Sequence, residues 1–423
     1  MKVSVVIPTS NGWRFLTPCL EALRGTRIPE GTEIEPIVVD NGSTDGTAEL
    51  LGRYPDVKAL NFPRPLGFSH ANNAARQVAT GAIVCFLNND TQVEPGWIER
   101  PLEIFTRDKR VAGVGSKLLF MHRYIPVRFS LAPGARLRVG PTIFNGPLDA
   151  KLQWSANIRD GWAQDGSTVY VPLPVPQIDA PLTTTPVVRL LEAAGKIEGS
   201  TVRVSNRAPH RIERLPAIVP VDESAASVRL IQNAGNFLNQ RCEAGDVGSG
   251  EEDQPGRYAS EEIVPALCGA ALFVRREALD AVGWFPDYYT AYYEDVDLCL
   301  RLRSRGGLLI FCPASIVNHY HTGTTRERSP RFTENVARSS LLFASRYAGP
   351  ALLARTVRDR IGYARDELVH GGSWTAAAGT RGFLSALPAL RKTFASRIAD
   401  KLRGRPNPAQ LITAARSPYL TSR

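Results

Sequence analysis

The chain has 423 residues, enough for two or three compact units, and its 43% hydrophobic and 22% charged residues are those of an ordinary globular protein. The net charge of +10 invites a nucleic-acid reading, but nine of those net positive charges lie after residue 350. A near-neutral body argues against nucleic acid as a partner. The basic C-terminal region suits either an anionic membrane surface or a solvated helical face.

No apolar run approaches the roughly 18 residues of a membrane span. The N-terminal run stops at Pro8 and is too short for a secretion signal. Cys19, Cys85, Cys242, Cys268, Cys299 and Cys312 form no C-x-x-C pair. Reduced, buried thiols in a cytoplasmic protein are expected, and a zinc site is not.

In chain order, Val3 to Ile7 reads as a buried strand followed by the loop Pro8-Thr9-Ser10-Asn11-Gly12. Phe15, Cys19, Leu20 and Leu23 then recur at helical spacing, with Gly25 closing the helix. A second strand, Pro36 to Val39, ends at Asp40-Asn41-Gly42-Ser43. Open α/β sheets bind ligands at such strand ends, so Thr9 and Asp40 should share one edge. Asp40 fits ordinary turn chemistry, and equally an acceptor for a donor group on a bound base or ribose. The third strand, Val57 to Leu60, leads to Arg64-Pro65-Leu66-Gly67-Phe68, after which a helix is expected from Asn72 onward. The fourth strand, Ala82 to Leu87, ends in Asn88-Asn89-Asp90-Thr91, where an acidic group facing a cleft suits a hard cation.

The succession Val5-Val6-Ile7-Pro8-Thr9, Val38-Val39-Asp40-Asn41-Gly42-Ser43-Thr44-Asp45, Gly67-Phe68 with Asn72-Asn73, and Leu87-Asn88-Asn89-Asp90-Thr91 resembles the nucleotide half of family 2 glycosyltransferases. These are inverting enzymes that include rhamnosyl- and galactofuranosyltransferases. The resemblance implies an α/β protein of the GT-A fold, a Rossmann-like mixed sheet with flanking helices. It implies donor-binding roles for Pro8, Thr9, Asn11, Asn41, Arg64, Gly67, Phe68, Asn73, Asn88 and Asn89, with Asp40 recognising the base. Asp90 would hold a Mn2+ or Mg2+ ion bridging the donor diphosphate. Many relatives carry Asp-x-Asp where this chain has Asn88-Asn89-Asp90. With that first carboxylate missing, the cation would lean on Asp90, the diphosphate and a group downstream.

From about Met121 to Ser227 the chain turns rich in proline and glycine, with alternating runs such as Leu137-Arg138-Val139 and Val169-Tyr170-Val171. Period-two alternation between turns predicts a small antiparallel sheet or β-sandwich, inserted into the family pattern. Its Phe129, Phe144, Trp154, Trp162 and Tyr170 could stack on sugar rings or form its core. The expected division is a nucleotide-sugar half over 1–120, this insertion over 121–227 as an acceptor or glycan module, a catalytic half over 228–325, and a basic helical region over 326–423. The polar stretch 248–256 reads as a cleft-covering loop or a surface connection.

Within 228–325, Ala266 to Arg276 reads as a buried strand with small residues in its middle, and the resemblance sets Gly269 and Ala270 against the donor sugar. Glu294, Asp295 and Asp297 put three carboxylates in four residues at a loop-to-helix junction. Helix capping and general-base chemistry both favour such a cluster, and spacing alone does not separate Glu294 from Asp295. The family's base aligns with Asp295; Glu294 would orient the acceptor and Asp297 would be secondary. After the strand Leu308 to Phe311 the family has a metal-binding histidine, which the pattern Val317-Asn318-His319 best fits, with His321 in reserve. Beyond Ser329-Pro330, helices are expected over Asn335 to Tyr347, Ala351 to Leu368 and Phe383 to Leu402, the last interrupted at Pro388.

The expected activity is transfer of a sugar from a dTDP- or UDP-linked donor to a glycan or lipid-linked acceptor, in cell-envelope or exopolysaccharide synthesis, at the inner face of the membrane. The alternative is an inactive, transferase-like glycan-binding protein, which Asn88 favours. A nucleotidyltransferase would carry a basic glycine-rich loop after its first strand, and Pro8 to Gly12 is not one.

Overall fold

The computed structural model describes residues 1–140, 151–321, 329–358 and 374–402, without the side chains of 374–376. Phe144, residues 322–328 and most of the helix expected after 351 lie outside them. The described chain forms two compact units.

The first unit opens with β1 (Lys2–Thr9), α1 (Trp13–Arg24), β2 (Glu33–Asn41), α2 (Thr47–Leu51), β3 (Lys58–Phe62), α3 (Phe68–Ala74), β4 (Ile83–Leu87), β5 (Thr91–Val93), α4 (Glu99–Arg107) and β6 (Val111–Phe120). Strand β1 pairs in parallel with both β2 and β4. Flanked on both sides and covered on both faces, it is buried from Val3 to Thr9, which is why it reads as an unbroken apolar run. Helix α1 presents Leu16, Cys19, Leu20 and Leu23 to the same core. Helix α3 starts at Phe68, four residues before Asn72. Gly67, at φ +89°, supplies the turn, and the Phe68 N–H is taken by the Thr290 carbonyl at 2.9 Å.

The second unit comprises residues 119–232 and 248–257. Its strands are β7 (Tyr124–Ser130), β8 (Arg136–Val139), β9 (Gln153–Trp154), β10 (Trp162–Ala163), β11 (Thr168–Pro172), β12 (Val187–Ala194), β13 (Thr201–Val204), β14 (His210–Arg211) and β15 (Ala217–Pro220). They make a five-stranded sheet, β14-β13-β7-β11-β9, and a four-stranded sheet, β10-β8-β12-β15. Ile125, Val127, Val169 and Val202 of one sheet share a single core with Leu137, Val139, Val188 and Leu190 of the other, so the unit is a β-sandwich. Phe129 and Tyr170 are buried, whereas Trp154 and Trp162 keep part of their rings at the surface.

This unit is larger than the expected 121–227. Backbone bonds join Tyr124 to Val228, Phe120 to Leu230 and Ile231 to Glu251. Glu252 accepts from the Arg128 guanidinium and, at 3.2 Å, from the Tyr170 hydroxyl. The stretch 248–256 is thus part of the sandwich unit, with Gln254, Pro255 and Gly256 at its surface.

The chain returns to the first unit through β16 (Ile231–Asn233), β17 (Asn236–Leu238), β18 (Ala244–Asp246), β19 (Glu262–Ile263), β20 (Ala271–Arg275), α5 (Arg276–Val282), α6 (Glu294–Arg303) and β21 (Leu308–His319). The main sheet runs β19-β21-β6-β20-β4-β1-β2-β3, with β20 antiparallel to β4 and β6. It is the mixed sheet expected of a GT-A fold.

Among the described residues, helices follow at α7 (Pro330–Tyr347), residues 350–358 (α8) and α9 (Trp374–Leu402). Helix α7 begins five residues before the expected Asn335 because the Ser329 hydroxyl caps the Phe332 N–H at 3.2 Å with Pro330 in the first turn. Helix α9 runs through Pro388 uninterrupted, and that residue lies on its exposed side, where a freed carbonyl can meet water.

These helices belong to the same compact unit as β20, α6 and β21 and are not a separate region. Asp297, fully buried, accepts from Arg301 Nε at 2.6 Å, Arg346 Nη1 at 2.8 Å and the Tyr347 hydroxyl at 2.9 Å. Arg346 also bonds Asp400 of α9 at 3.1 Å. One carboxylate of the acidic cluster is therefore a structural anchor joining α6 to α7. Arg346→Leu strands that buried charge with one guanidinium and is expected to cost about 3–5 kcal/mol in urea unfolding. A loss below about 1 kcal/mol would show the anchor to be dispensable.

Candidate active site

The register of β1 with β2 sets Thr9 opposite Asp40, both buried, at the C-terminal edge of the parallel strands. Pro8 sits one step back, opposite Val39. Asp40 Oδ1 accepts the Ser43 N–H at 3.0 Å, so the carboxylate also closes its own turn. Asn89 donates to Thr9 Oγ1 at 2.9 Å.

Gly42 has φ +73°, and a Cβ there would lie 2.5 Å from the Arg64 carbonyl carbon. Only glycine lets the 64–67 loop close over β2, where the Leu66 N–H reaches Asn41 Oδ1 at 2.6 Å. Arg64 is exposed on that loop, and the half-buried Phe68 lies just beyond Gly67. Asn11 Oδ1 accepts the Thr44 N–H at 2.7 Å and so laces the first two loops together. Asn73 uses both ends of its amide on the backbone of Phe285, at 2.7 and 3.0 Å. The expectation that Asn73 faces a donor is corrected: its amide clamps α3 to the 283–286 loop.

Strand β21 pairs antiparallel with β5, His319 opposite Thr91. This register carries the imidazole to Asp90: Nε2 and Oδ1 are 3.1 Å apart, both groups are buried, and the Asp90 carbonyl accepts the Tyr320 N–H at 2.8 Å. The His321 ring stands 5.7 Å from that of His319. Asn88 Oδ1 is buried without a hydrogen-bond partner.

At the start of α6, Tyr292 and Tyr293 both have φ +68°, a conformation rare outside glycine. Their rings pack on Phe332 and Phe343 of α7, at 5.2 and 5.1 Å, which holds this strained turn in place. Asp295 then accepts the Gly269 N–H at Oδ2 and the Val296 N–H at Oδ1, each at 2.8 Å. A Cβ on Gly269 would come within 3.1 Å of Asp295 Cβ, so the glycine makes room for the carboxylate itself. Burial raises the Asp295 pKa against the pull of those amides. Glu294 is raised well above the usual range, first by burial and then by the field of Asp295, and its Oε2 is buried without a partner.

Asp246 is a further member that sequence reasoning missed. It carries no motif, and its only signal is a carboxylate in a short hairpin between two turns. Burial and Asp295 push its pKa up to about 6, while bonds from Asn233 and Asn236 and the nearby His319 act the other way. It thus stands within the fields of both Asp295 and His319. The Asn88 N–H meets the Ala270 carbonyl at 3.0 Å, one residue from Gly269. Through these contacts Asp90, His319, Asp246 and Asp295 share one neighbourhood.

A mixed sheet with an acid–imidazole pair at the strand ends and a crowded carboxylate on the adjoining helix defines the class: an α/β protein of GT-A type. Residues 4–131 match the family described as Glycosyl transferase family 2. The chain is 34% identical over 102 residues to glycosyltransferase AglE of Haloferax volcanii, covering 23% of this chain and 33% of that one. It is 32% identical over 170 residues to the pre-mycofactocin glycosyltransferase of Mycobacterium tuberculosis, covering 37% and 34%. The matched stretch spans about a third of those relatives' lengths. Among solved structures, it is similar to GalNAc-T7 with UDP, GalNAc and Mn2+ (TM-score 0.48, 14% identity, 96% of this chain and 58% of that one). It is also similar to a mannosyltransferase from Pyrobaculum calidifontis with GDP-Man and Mn2+ (TM-score 0.42, 15% identity, 98% and 85%). The likeness to glycosyl transferase family 2 is carried by residues 4–131.

Glu294 yields a pH-dependent test. Its folded pKa lies above its unfolded value, so its ionisation destabilises the fold as pH rises from the ordinary carboxylate range through the folded value. Glu294→Gln is expected to raise Tm by about 2 °C or more at pH 8 and by less at pH 5. Equal shifts at both pH values in scanning calorimetry would refute it.

Proposed function

We propose that this protein transfers a sugar from a UDP- or dTDP-linked donor to a hydroxyl of a glycan or lipid-linked acceptor, with inversion, in cell-envelope or exopolysaccharide synthesis. The observation that carries this reading is Asp295, a carboxylate oriented by two backbone N–H groups and made more basic by burial, in one neighbourhood with the Asp90–His319 pair. Asp295 takes the proton of the acceptor hydroxyl. The acceptor oxygen bonds to the anomeric carbon as the bond from that carbon to the diphosphate breaks, and this single displacement inverts the centre. Asp40 and Thr9 take the nucleoside end, and the exposed Arg64 the phosphates. Trp154 and Trp162, half-exposed on the sandwich, suit an extended glycan acceptor.

The residues present fit a divalent cation. Asp90 supplies a carboxylate, His319 an imidazole, and Asn88 an amide oxygen that is buried and unpartnered. Among the described residues no three His, Cys, Asp or Glu side chains gather as a ligand set. When bound, Mn2+ or Mg2+ would offset the charge gathering on the departing diphosphate.

Asp295→Asn is expected to keep donor affinity within about twofold while turnover falls roughly 100- to 10,000-fold. Calorimetric binding and product formation would be measured with UDP-glucose, UDP-galactose, UDP-N-acetylglucosamine and dTDP-rhamnose in the presence of Mn2+. A fully active variant would reject the assignment of Asp295 as the base.

A peripheral membrane contact is part of the proposal. No described helix is long and apolar enough to cross a membrane. Helix α9, however, turns small residues inward, among them Ala378, Gly382, Ala386 and Thr393, and leaves Leu384, Leu387, Phe394, Ile398 and Leu402 exposed. Exposed Arg391 and Lys401 accompany that apolar stripe, the pattern of a helix lying in an anionic lipid interface. The protein is expected to pellet with phosphatidylglycerol vesicles at low salt, and the triple variant Leu387→Ser, Phe394→Ser, Ile398→Ser to stay in the supernatant. Wild-type protein that fails to pellet would remove the membrane from the proposal.

A further inference from the structure

Asp246 has a placement that folding alone does not explain. Strands β17 and β18 form an antiparallel hairpin with Asn236 opposite Asp246. The Asn236 N–H donates to the Ala266 carbonyl at 3.0 Å, which ties the hairpin to the segment running on into Gly269 and the Asp295 carboxylate. Asp246 Oδ1 accepts two amide donors, Asn233 Nδ2 at 2.6 Å and Asn236 Nδ2 at 3.1 Å, both from buried asparagines. Its other oxygen, Oδ2, has no hydrogen-bond partner among the described residues, and the residue keeps some exposure. One oxygen is thus fixed and the other is open.

That arrangement opposes stability. A further carboxylate within the field of Asp295 is repelled by it, and a hydrophobic or amide side chain would fill the place at lower cost. Groups held in this way are characteristic of binding sites. Two ionisable neighbours of Asp246, His319 and Asp295, say which part of a ligand it would meet. Asp246 feels both His319, paired with Asp90 where the proposed diphosphate would leave, and Asp295, where the acceptor hydroxyl would arrive, and the Asn236–Ala266 bond holds its hairpin on the segment that leads to Gly269 and Asp295. Between a leaving diphosphate and an arriving hydroxyl lies the sugar being transferred.

We propose that Asp246 binds the transferred sugar, its free Oδ2 accepting a hydrogen bond from a ring hydroxyl, with Asn233 and Asn236 as positioning residues that aim it. This rests on the transferase reading above and adds a determinant of which sugar is carried. A carboxylate in this place selects for a hydroxyl at one ring position and against a donor that lacks it.

The test uses Asp246→Asn in the full chain. The amide keeps an oxygen for Asn233 and Asn236 and replaces only the open acceptor with a donor, so the hairpin is expected to fold. A thermal melt within about 2 °C of wild type checks this. The donor is whichever of UDP-glucose, UDP-galactose, UDP-N-acetylglucosamine or dTDP-rhamnose wild-type enzyme turns over, and monodeoxy analogues of that donor are compared with it.

The expected result has three parts: the variant's KM for the full donor rises roughly 10- to 100-fold, the nucleoside diphosphate alone binds both proteins equally in calorimetry, and wild-type discrimination against one deoxy analogue disappears in the variant. Unchanged KM and discrimination would overturn the assignment. So would a parallel loss of melting temperature and nucleoside-diphosphate affinity, since Asp246 would then serve the fold alone. If wild-type enzyme turns over none of the donors, the transferase reading fails first and this one with it.

Discussion

The first turn of α6 sets three carboxylates side by side, and the rest of the α/β unit can be understood as three different answers to their repulsion. Asp297 is neutralised, with Arg301 from its own helix and Arg346 from α7 closing on it in the interior. Asp295 is solvated by the protein, its two oxygens each taking a backbone N–H, one of which only a glycine at 269 brings close enough. Glu294 receives no partner for its Oε2, and burial together with the field of Asp295 raises its pKa well above the usual range. Identical chemical groups within one helical turn thus become an ion-paired anchor, a carboxylate held by backbone amides and an unpartnered carboxyl, because their surroundings differ and not because their sequence positions do.

The same turn explains why the C-terminal helices belong to the unit that carries α6. Two consecutive tyrosines in left-handed conformation would relax unless something held them, and the rings of Phe332 and Phe343 do so. Helix α7 therefore acts twice on α6, once through charge at Asp297 and once through packing at the tyrosines. Its large buried residues, Leu341, Leu342, Phe343 and Tyr347, are the apolar side of that work.

Much of the α/β unit was legible because its physics is local. Buried parallel strands need continuous apolar runs, and the loops that follow them need small and polar residues, so β1, β2 and β4 and the edge holding Thr9 and Asp40 could be read directly. The antiparallel approach of β21 to β5 was not local, but a histidine placed after an apolar strand left a trace of it. Asn73 misled because an asparagine that clamps backbone and one that faces a ligand look alike in sequence. Asp246 was invisible for a related reason: its meaning comes from Asn233 and Asn236 beside it and from His319 and Asp295, which are distant along the chain. The helix starts missed at Phe68 and Pro330 were decided by Gly67 and Ser329, residues just outside the segments whose periodicity was being read.

The hairpin that carries Asp246 occupies residues 233–247, between the two stretches that build the sandwich, 119–232 and 248–257. The chain therefore crosses from one folding unit to the other four times, and the sandwich cannot be excised as one continuous piece without cutting the strand connections of the hairpin. A lineage that gained this module would have inherited a linkage: whatever reshaped the sandwich also had to preserve the thread returning Asp246 to its place. Modularity in space is here not modularity in the gene.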